Sequence, residues 1–138
     1  MKFYIASSFS NSKTVQKVSE QLVMAGFIHT YDWTTNGRAK SMEDLKAIGM
    51  KEKDGVGEAD FVVILLPGGK GTHVELGMAI SFKKNIYLYS SDEKVNEIES
   101  TSTFYHLPEV TQCIGTIDKL IQQICRDYPE ITKKHTVY

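Results

Sequence analysis

The sequence predicts a three-layer α/β sandwich, in which helices cover both faces of a five-stranded parallel sheet. Two observations predict this fold class. Apolar segments of strand length alternate along the chain with segments of helix length, which is the order of right-handed βαβ units. One strand-length segment, residues 61–66 (FVVILL), is apolar at every position, as is typical of a central parallel strand covered on both faces.

The chain opens with a strand and a helix. Residues 2–7 (KFYIAS) predict strand one because they combine aromatic and β-branched side chains. Apolar residues then recur at helical spacing, at Val15, Val18 and Leu22. Ser10 or Asn11 is placed to cap this helix, and Gly26 to end it. Residues 27–31 predict the second strand.

A polar loop over residues 32–41 leads into a helix predicted over residues 42–58. The apolar side chains that mark one face of this helix are Leu45, Ile48, Val56 and Ala59. Glu52 lies on that same face. Three internal glycines, each costing up to ~1 kcal/mol relative to alanine, weaken the helical pattern. They are Gly49, Gly55 and Gly57.

The second half of the chain repeats the alternation. A glycine-rich turn at residues 67–71 leads into a helix over residues 72–83, which is apolar on most sides and is therefore expected to be substantially buried. Residues 86–89 predict strand four, and residues 111–114 predict a short strand five. The apolar residues that mark a closing amphipathic helix are Ile117, Leu120, Ile121 and Ile124.

The spacing of these five strands favours a flavodoxin-like (Rossmann-like) order, 2-1-3-4-5. Such sheets bind ligands outside the carboxyl ends of the strands, at the switch point between strands one and three. This order brings the loop after strand one, residues 7–10, close to the glycine-rich turn after strand three, residues 67–72. We therefore expect the binding site between these two loops.

Length, charge and cysteine content limit the possible functions. The 138 residues predict one domain over residues 1–128 and a tail over residues 129–138. A net charge of −1 without a basic stripe argues against a nucleic-acid partner. Neither a signal peptide nor an apolar run near ~18 residues is present, so we expect a cytoplasmic protein with no membrane partner. Cys113 and Cys125 lack metal or redox spacing and predict buried thiols, with no metal or cofactor.

Glu75 is the strongest candidate for chemistry. Its ordinary explanation is a carboxylate in the first turn of a helix, where the dipole keeps it ionised and contributes ~0.3–1 kcal/mol. The same helix start is predicted at the switch point of the sheet, so the carboxylate is expected to point at the ligand. An ionised carboxylate there can attack, or stabilise, an oxocarbenium-like sugar centre.

Three further side chains have two interpretations each, and a fourth has one. Glu52 is either a surface glutamate or an inward carboxyl with a raised pKa that protonates a leaving base. Tyr4 is either plain core or a hydroxyl that orients Glu75. Trp33 is either plain core or a surface on which a base stacks. His73 flanks Glu75, and solvent exposure is its default.

The segment Gly68 to Glu75 (GGKGTHVE) is the candidate anion site. A glycine-rich turn that enters a helix presents backbone N–H groups and the positive end of the helix dipole. It lacks the Gly-Lys-Ser/Thr of a Walker A loop. A tight connection between a strand and a helix explains the glycines equally well.

Three segments carry a resemblance to a known family. They are YIASSF from Tyr4, EKDGVGEADFVVILL from Glu52, and GTHVELGMAISFKKNIYLY from Gly71. With these segments the chain resembles the nucleoside 2-deoxyribosyltransferase family and its nucleoside 5′-monophosphate N-glycosidase relatives. The resemblance implies a flavodoxin-like fold, cleavage of an N-glycosidic bond, and a homodimer or larger homo-oligomer whose sites borrow a neighbour's loop.

The resemblance also implies roles for individual residues. Glu75 takes the position of the nucleophile, and Tyr4 that of the tyrosine that positions it. Glu52 takes a position that is usually aspartate in the family and that contacts the base. The residues expected to bind substrate are Ser7, Ser8, Trp33, Gly69, Lys70, Gly71, Thr72 and His73.

Two departures from the family pattern favour a charged substrate. Gly69 and Lys70 stand where the family often has an acidic or serine residue, and Lys70 favours a nucleotide phosphate. The first loop offers Ser7, Ser8 and Ser10 in place of the common Gly-Pro. We therefore favour a nucleotide N-glycosidase over base exchange between free nucleosides. The alternatives are a non-catalytic nucleotide sensor and a TIR-like NAD glycohydrolase.

Overall fold

The computed structural model describes residues 1–133; residues 134–138 of the predicted tail lie outside the described part. Within residues 1–133, five strands form one parallel sheet in the order β2-β1-β3-β4-β5, which confirms the predicted fold class. The strands are β1 (Lys2–Ala6), β2 (Ile28–His29), β3 (Phe61–Leu65), β4 (Asn85–Ser90) and β5 (Val110–Ile114).

Helices complete the three layers. They are α1 (Ser12–Met24), α2 (Met42–Glu58), α3 (Lys70–Ser81), α4 (Ile117–Asp127) and the short α5 (Pro129–Thr132). Helix α1 packs beside α4, and α2 packs beside α3. Among residues 1–133, no helix is long and apolar enough to cross a membrane.

The two central strands carry the middle of the core. Every residue of β3 is buried, as is every residue of β1 after Lys2. Tyr4 of β1 lies opposite Val62 of β3 in the parallel register. Because β1 pairs with β2 near its start and with β3 along its length, Tyr4 lies at the centre of the sheet.

The first crossover differs in detail from the sequence prediction. Strand β2 covers two residues instead of the predicted 27–31, because it pairs only with the beginning of β1. Gly26, with φ of 109°, ends the segment after α1 as predicted. Asn11, one of the two predicted candidates, is the N-cap residue of α1, but its side chain makes no capping bond. It donates instead to Ser7 Oγ at 2.9 Å, and Ser10 Oγ pairs with Ser8 Oγ at 2.8 Å.

Helix α2 forms over its predicted range in spite of its glycines, but its predicted buried face is only half correct. Leu45 is 55% exposed, whereas Val56 is fully buried. The difference arises because α2 buries residues only near its C-terminal end, at Gly55 and Val56.

Helix α3 begins at Lys70, two residues earlier than predicted, and is less buried than predicted. Its buried residues lie on one side only, while Val74 remains largely exposed. Of the two thiols, Cys113 is buried and Cys125 is partly buried, and both are free.

Candidate active site

A cleft of about 250 Å³ lies at the carboxyl ends of β1 and β3, where the strand order places the two loops. Its lining residues are Ser7, Ser8, Phe9, Trp33, Glu52, Gly69, Gly71, Thr72 and Glu75. A second groove of about 470 Å³ shares Phe9, Trp33 and Glu52 with the cleft. The two spaces therefore adjoin, with Glu52 between them.

Glu75 and Tyr4 form a buried pair at this cleft. Glu75 is 6% exposed, and Tyr4 is fully buried. The Tyr4 hydroxyl donates a hydrogen bond to Glu75 Oε2. The geometry thus joins the tyrosine on β1 to the carboxylate on α3, as the sequence analysis expected.

Burial controls the charge of Glu75. The pKa of its carboxyl is raised to about 7: desolvation raises this pKa most, the hydrogen bond from Tyr4 lowers it, and the charge of Glu52 raises it. The expectation that the helix dipole keeps Glu75 ionised is therefore corrected. Because α3 begins at Lys70, Glu75 lies in the second turn, beyond the turn where the dipole acts most strongly.

Glu52 is the second carboxyl of the cleft. It is half-buried and faces both the cleft and the adjoining groove, which supports the inward interpretation over the surface one. Burial raises the pKa of Glu52. The pKa of the Tyr4 hydroxyl is raised well above its usual range, first by desolvation and then by the charge of Glu75, so this hydroxyl stays a proton donor.

Two serines of the loop after β1 make different contacts. Ser7 Oγ donates to the carbonyl of Leu65 at 2.8 Å and accepts from Asn11, so it ties β1 to β3. Ser8 is only partly buried and also lines the cleft. The Ser8 hydroxyl pairs with Ser10 and not with the backbone, so Ser8 is the better candidate of the two to contact a substrate.

The glycine-rich turn is held by Thr72. The Gly69 N–H donates to Thr72 Oγ1 at 3.0 Å, and Thr72 is buried. A Cβ at Gly68 would lie 2.6 Å from Thr72 Cγ2, so the turn requires glycine there. Lys70 is exposed and begins α3 beside the cleft without lining it.

The Trp33 and His73 side chains both make hydrogen bonds within the protein that the sequence did not predict. The Trp33 indole N–H donates to the carbonyl of Ile5 at 2.7 Å, and Trp33 is only 6% exposed although it lines the cleft. The His73 imidazole lies within 2.8 Å of the Gly69 carbonyl and 2.6 Å of the Tyr105 hydroxyl. His73 does not line the cleft, so the structure separates it from Glu75.

The sequence analysis placed the loop that contains Phe9 at the expected site but did not select Phe9 as a binding residue. Its ring is 64% exposed and lies 6.1 Å from the Trp33 ring, between centroids, at the junction of the cleft and the groove. An aromatic residue alone among polar ones in the first loop was the available signal, since an exposed aromatic side chain often contacts a ligand.

The fold and this site define a class of protein. A buried, tyrosine-held carboxylate beside a second carboxyl, at the carboxyl edge of a parallel sheet, suits an enzyme that acts on glycosidic bonds. The profile of the family described as nucleoside 2-deoxyribosyltransferase matches residues 3–108. The chain belongs to this family, so it is an enzyme of the nucleoside glycosyltransferase class.

The solved structures contain a similar fold. The structure of Clostridium botulinum CMP N-glycosidase, BcmB, matches with a TM-score of 0.60 at 18% sequence identity. The match covers 92% of this chain and 99% of that one. At this identity the likeness establishes the shared fold. No curated protein sequence matches the chain significantly.

Proposed function

We propose that the protein hydrolyses the N-glycosidic bond of a nucleoside 5′-monophosphate, with Glu75 as the nucleophile. The observation that carries this proposal is the buried Glu75 carboxyl, held by Tyr4 and facing a cleft that Glu52 also lines. A nucleophile needs a fixed direction of attack, and the Tyr4 hydrogen bond supplies it.

The reaction has two steps. A Glu75 carboxylate oxygen attacks C1′ of the sugar while the bond from C1′ to the base nitrogen breaks, and the electron pair of that bond goes to the base. The leaving base takes a proton from Glu52 or from water. Water then attacks C1′ of the glycosyl ester and gives one proton to the Glu52 carboxylate, which releases the sugar phosphate and restores both the Glu75 carboxylate and the Glu52 acid.

The electrostatics of the cleft limit when Glu75 can attack. Burial raises the pKa of both carboxyls, and the charge of Glu52 further disfavours ionisation of Glu75. Because the pKa of Glu75 is raised to about 7 and attack requires its carboxylate, base release is expected to increase as pH rises through this value. The raised pKa of Glu52 favours the protonated form that can donate to the leaving base.

Three observations support a nucleotide over a free nucleoside. Lys70 places an exposed ammonium group in the first turn of α3, next to the cleft. The positive end of the α3 dipole and the Ser8 hydroxyl lie at the same rim, and both favour a phosphate. The protein with the similar fold, BcmB, is named as a CMP N-glycosidase.

The proposal includes a homodimer or larger homo-oligomer. Apolar side chains stand exposed on α2 and just after α3, at Met42, Leu45, Met50 and Phe82. Such exposed apolar area commonly marks an interface between copies of a chain.

Light scattering during size-exclusion chromatography should give a multiple of the 15.6 kDa chain mass. Leu45→Glu should lower that mass and Lys17→Glu, at an exposed site on α1, should not; a monomeric wild type would contradict the proposal.

Base release, followed by chromatography, tests the reaction. The wild type, the Glu75→Ala variant and the Glu58→Ala control at an exposed site on α2 would be incubated with nucleosides, nucleoside 5′-monophosphates and NAD. We expect release from a monophosphate by the wild type and the control but not by Glu75→Ala. Full turnover by Glu75→Ala would overturn the mechanism.

The same assay separates the competing functions. Base exchange that requires an added free base would establish a transferase. Release of nicotinamide from NAD alone would establish an NAD glycohydrolase. Measurable binding of nucleotides without release of any base would establish a non-catalytic sensor.

A further inference from the structure

Gly55 of α2 lies directly against the ring of Tyr4. A Cβ atom at this glycine would be 3.0 Å from Tyr4 Cδ1 and 3.1 Å from Tyr4 Cε1, and also 3.1 Å from Tyr31 Cβ. These distances are shorter than ordinary carbon–carbon contacts of about 3.5–4.0 Å. The absence of a side chain therefore lets α2 approach the sheet at this point.

The other glycines of α2 show that this contact is specific. A Cβ at Gly49 would meet nothing within 4 Å, and a Cβ at Gly57 would meet only Phe82 Cε2, at 3.9 Å. Helix propensity favours alanine over glycine at all three positions. Packing opposes alanine at Gly55 alone among them.

Neither side of the contact can easily retreat. Tyr4 is fully buried on a strand that pairs on both sides, so its backbone is fixed. On the other side, Thr30 Oγ1 donates to the Gly55 carbonyl at 2.8 Å and holds α2 in place. A methyl group at position 55 would therefore press against the Tyr4 ring, which must shift by a few tenths of an ångström.

We propose that Gly55 is a positioning residue for catalysis, because it leaves the space in which the Tyr4 ring can bring its hydroxyl to Glu75. This inference rests on the proposed function, in which Glu75 attacks the sugar.

Gly55→Ala is the first test, with Gly49→Ala as the matched control on the same helix. We expect Gly55→Ala to lower kcat by at least about tenfold, since small displacements of catalytic groups carry costs of this order. The control should keep the wild-type kcat. Wild-type kcat in both variants would overturn the proposal.

A double-mutant cycle distinguishes positioning from general damage to the fold. Tyr4→Phe keeps the ring and its steric conflict but removes the hydroxyl. In the Tyr4→Phe background, Gly55→Ala should therefore cost less than about twofold in kcat. An equal loss in both backgrounds would show that Gly55 does not act through the Tyr4 hydroxyl and would overturn the inference.

A titration that needs no turnover keeps this inference separate from the proposed reaction. The titratable groups that act on the Glu75 carboxyl from packed elements are Tyr4 of β1 and Glu52 of α2, and exposed Lys70 and His73 share α3 with it. Carbon-detected NMR of labelled glutamate carboxyls, assigned with Glu75→Gln, would follow this group. Loss of the Tyr4 bond should move its titration to higher pH in Gly55→Ala and leave it unchanged in Gly49→Ala. An unchanged titration in Gly55→Ala would overturn the inference even if the wild-type protein releases base. A shifted titration would support the positioning role of Gly55 even if the wild-type protein releases no base.

Discussion

The Tyr4 hydroxyl and the Glu75 carboxylate are hydrogen-bonded to each other although 71 positions of sequence separate them. Tyr4 lies on the central strand β1, and Glu75 lies on α3, which follows the neighbouring strand β3. Both groups are buried, so the proton that they share is sensitive to small changes in either residue. The pair therefore links the proposed chemistry to pH and to stability.

Tyr4→Phe should slow the reaction and move its pH profile. Removal of the hydroxyl takes away the hydrogen bond that lowers the pKa of Glu75, so this pKa should rise above about 7. Because attack requires the ionised carboxylate, the acid limb of kcat/KM should move to higher pH, and kcat should fall about tenfold to a hundredfold.

Tyr87→Phe is the matched control for this variant. The Tyr87 hydroxyl also donates to a carboxylate, Asp127 Oδ2, at 2.6 Å, but its pocket at the other end of the sheet shares no residue with the cleft. It should keep the wild-type pH profile. A profile for Tyr4→Phe that overlays the wild type would contradict the positioning role of Tyr4.

Glu75→Gln should abolish base release and yet stabilise the protein at alkaline pH. The pKa of Glu75 is raised from 4.5 to about 7 in the folded protein. Between these pH values the folded state holds a proton that the unfolded chain has released, so its free energy of unfolding falls as pH rises, by on the order of 3 kcal/mol. The neutral amide escapes this loss.

Urea unfolding of the wild type and of Glu75→Gln at pH 5 and pH 8 measures this effect. The two proteins should be similar at pH 5, and the variant should be the more stable at pH 8. A wild type that is more stable than the variant at pH 8 would show that the buried carboxylate is well compensated and that its pKa is not raised.

Lys70→Ala should weaken binding of the phosphorylated substrate and leave binding of the nucleoside unchanged. Without the exposed ammonium group at the start of α3, KM for the monophosphate should rise about threefold to tenfold, whereas KM for the nucleoside should not change. Added salt should weaken monophosphate binding by the wild type more than by the variant. Lys17→Ala, at an exposed site on α1, is the control. An equal rise in KM for both substrates would argue against phosphate recognition by Lys70.

His29 should make the fold sensitive to acid. Its ring stacks on Phe3 at 4.6 Å, and within residues 1–133 its Nε2 is a buried atom with no hydrogen-bond partner. Burial lowers the pKa of His29, and the charge of Asp32 only partly offsets this. The unfolded chain therefore takes up a proton first, and stability is lost as pH falls from about 6.5 through the folded pKa.

His29→Phe should remove this loss. The free energy of unfolding of the variant relative to the wild type should increase between pH 7.5 and pH 5.5 in urea titrations. The comparison isolates His29, because Glu75 contributes equally to both proteins. A constant difference in the free energy of unfolding across this pH range would mean that burial does not lower the pKa of His29.

The sequence was sufficient for the parts of the fold that local patterns encode. The fully apolar segment at β3 and the glycine-rich turn after it predicted the central strand and its crossover. Helix α2 covers its predicted residues, and its start is fixed because the Asp44 N–H donates to the Ser41 hydroxyl at 3.0 Å. Strand β2 was overestimated, since its length depends on pairing with β1 and not on its own composition.

The candidate site likewise contains some residues that the sequence predicted and some contacts that it did not. Glu75 and Tyr4 were predicted from their places on a helix and a strand that the strand order brings together, and from the family resemblance. The partner of His73 was not predictable, because Tyr105 comes from a turn 32 positions away. The sequence also ranked Gly55 only as a weak helix residue, whereas the structure shows its contact with the Tyr4 ring.

The sequence by itself determined the layer architecture, the strand order and the family, because hydrophobic periodicity and turn residues are properties of short segments. The tertiary structure alone decided the raised pKa of Glu75, the half-exposed α2 and the close approach at Gly55. These depend on desolvation and on distances between side chains that are remote in the sequence. Such quantities exist only once the chain has packed, so no local pattern encodes them.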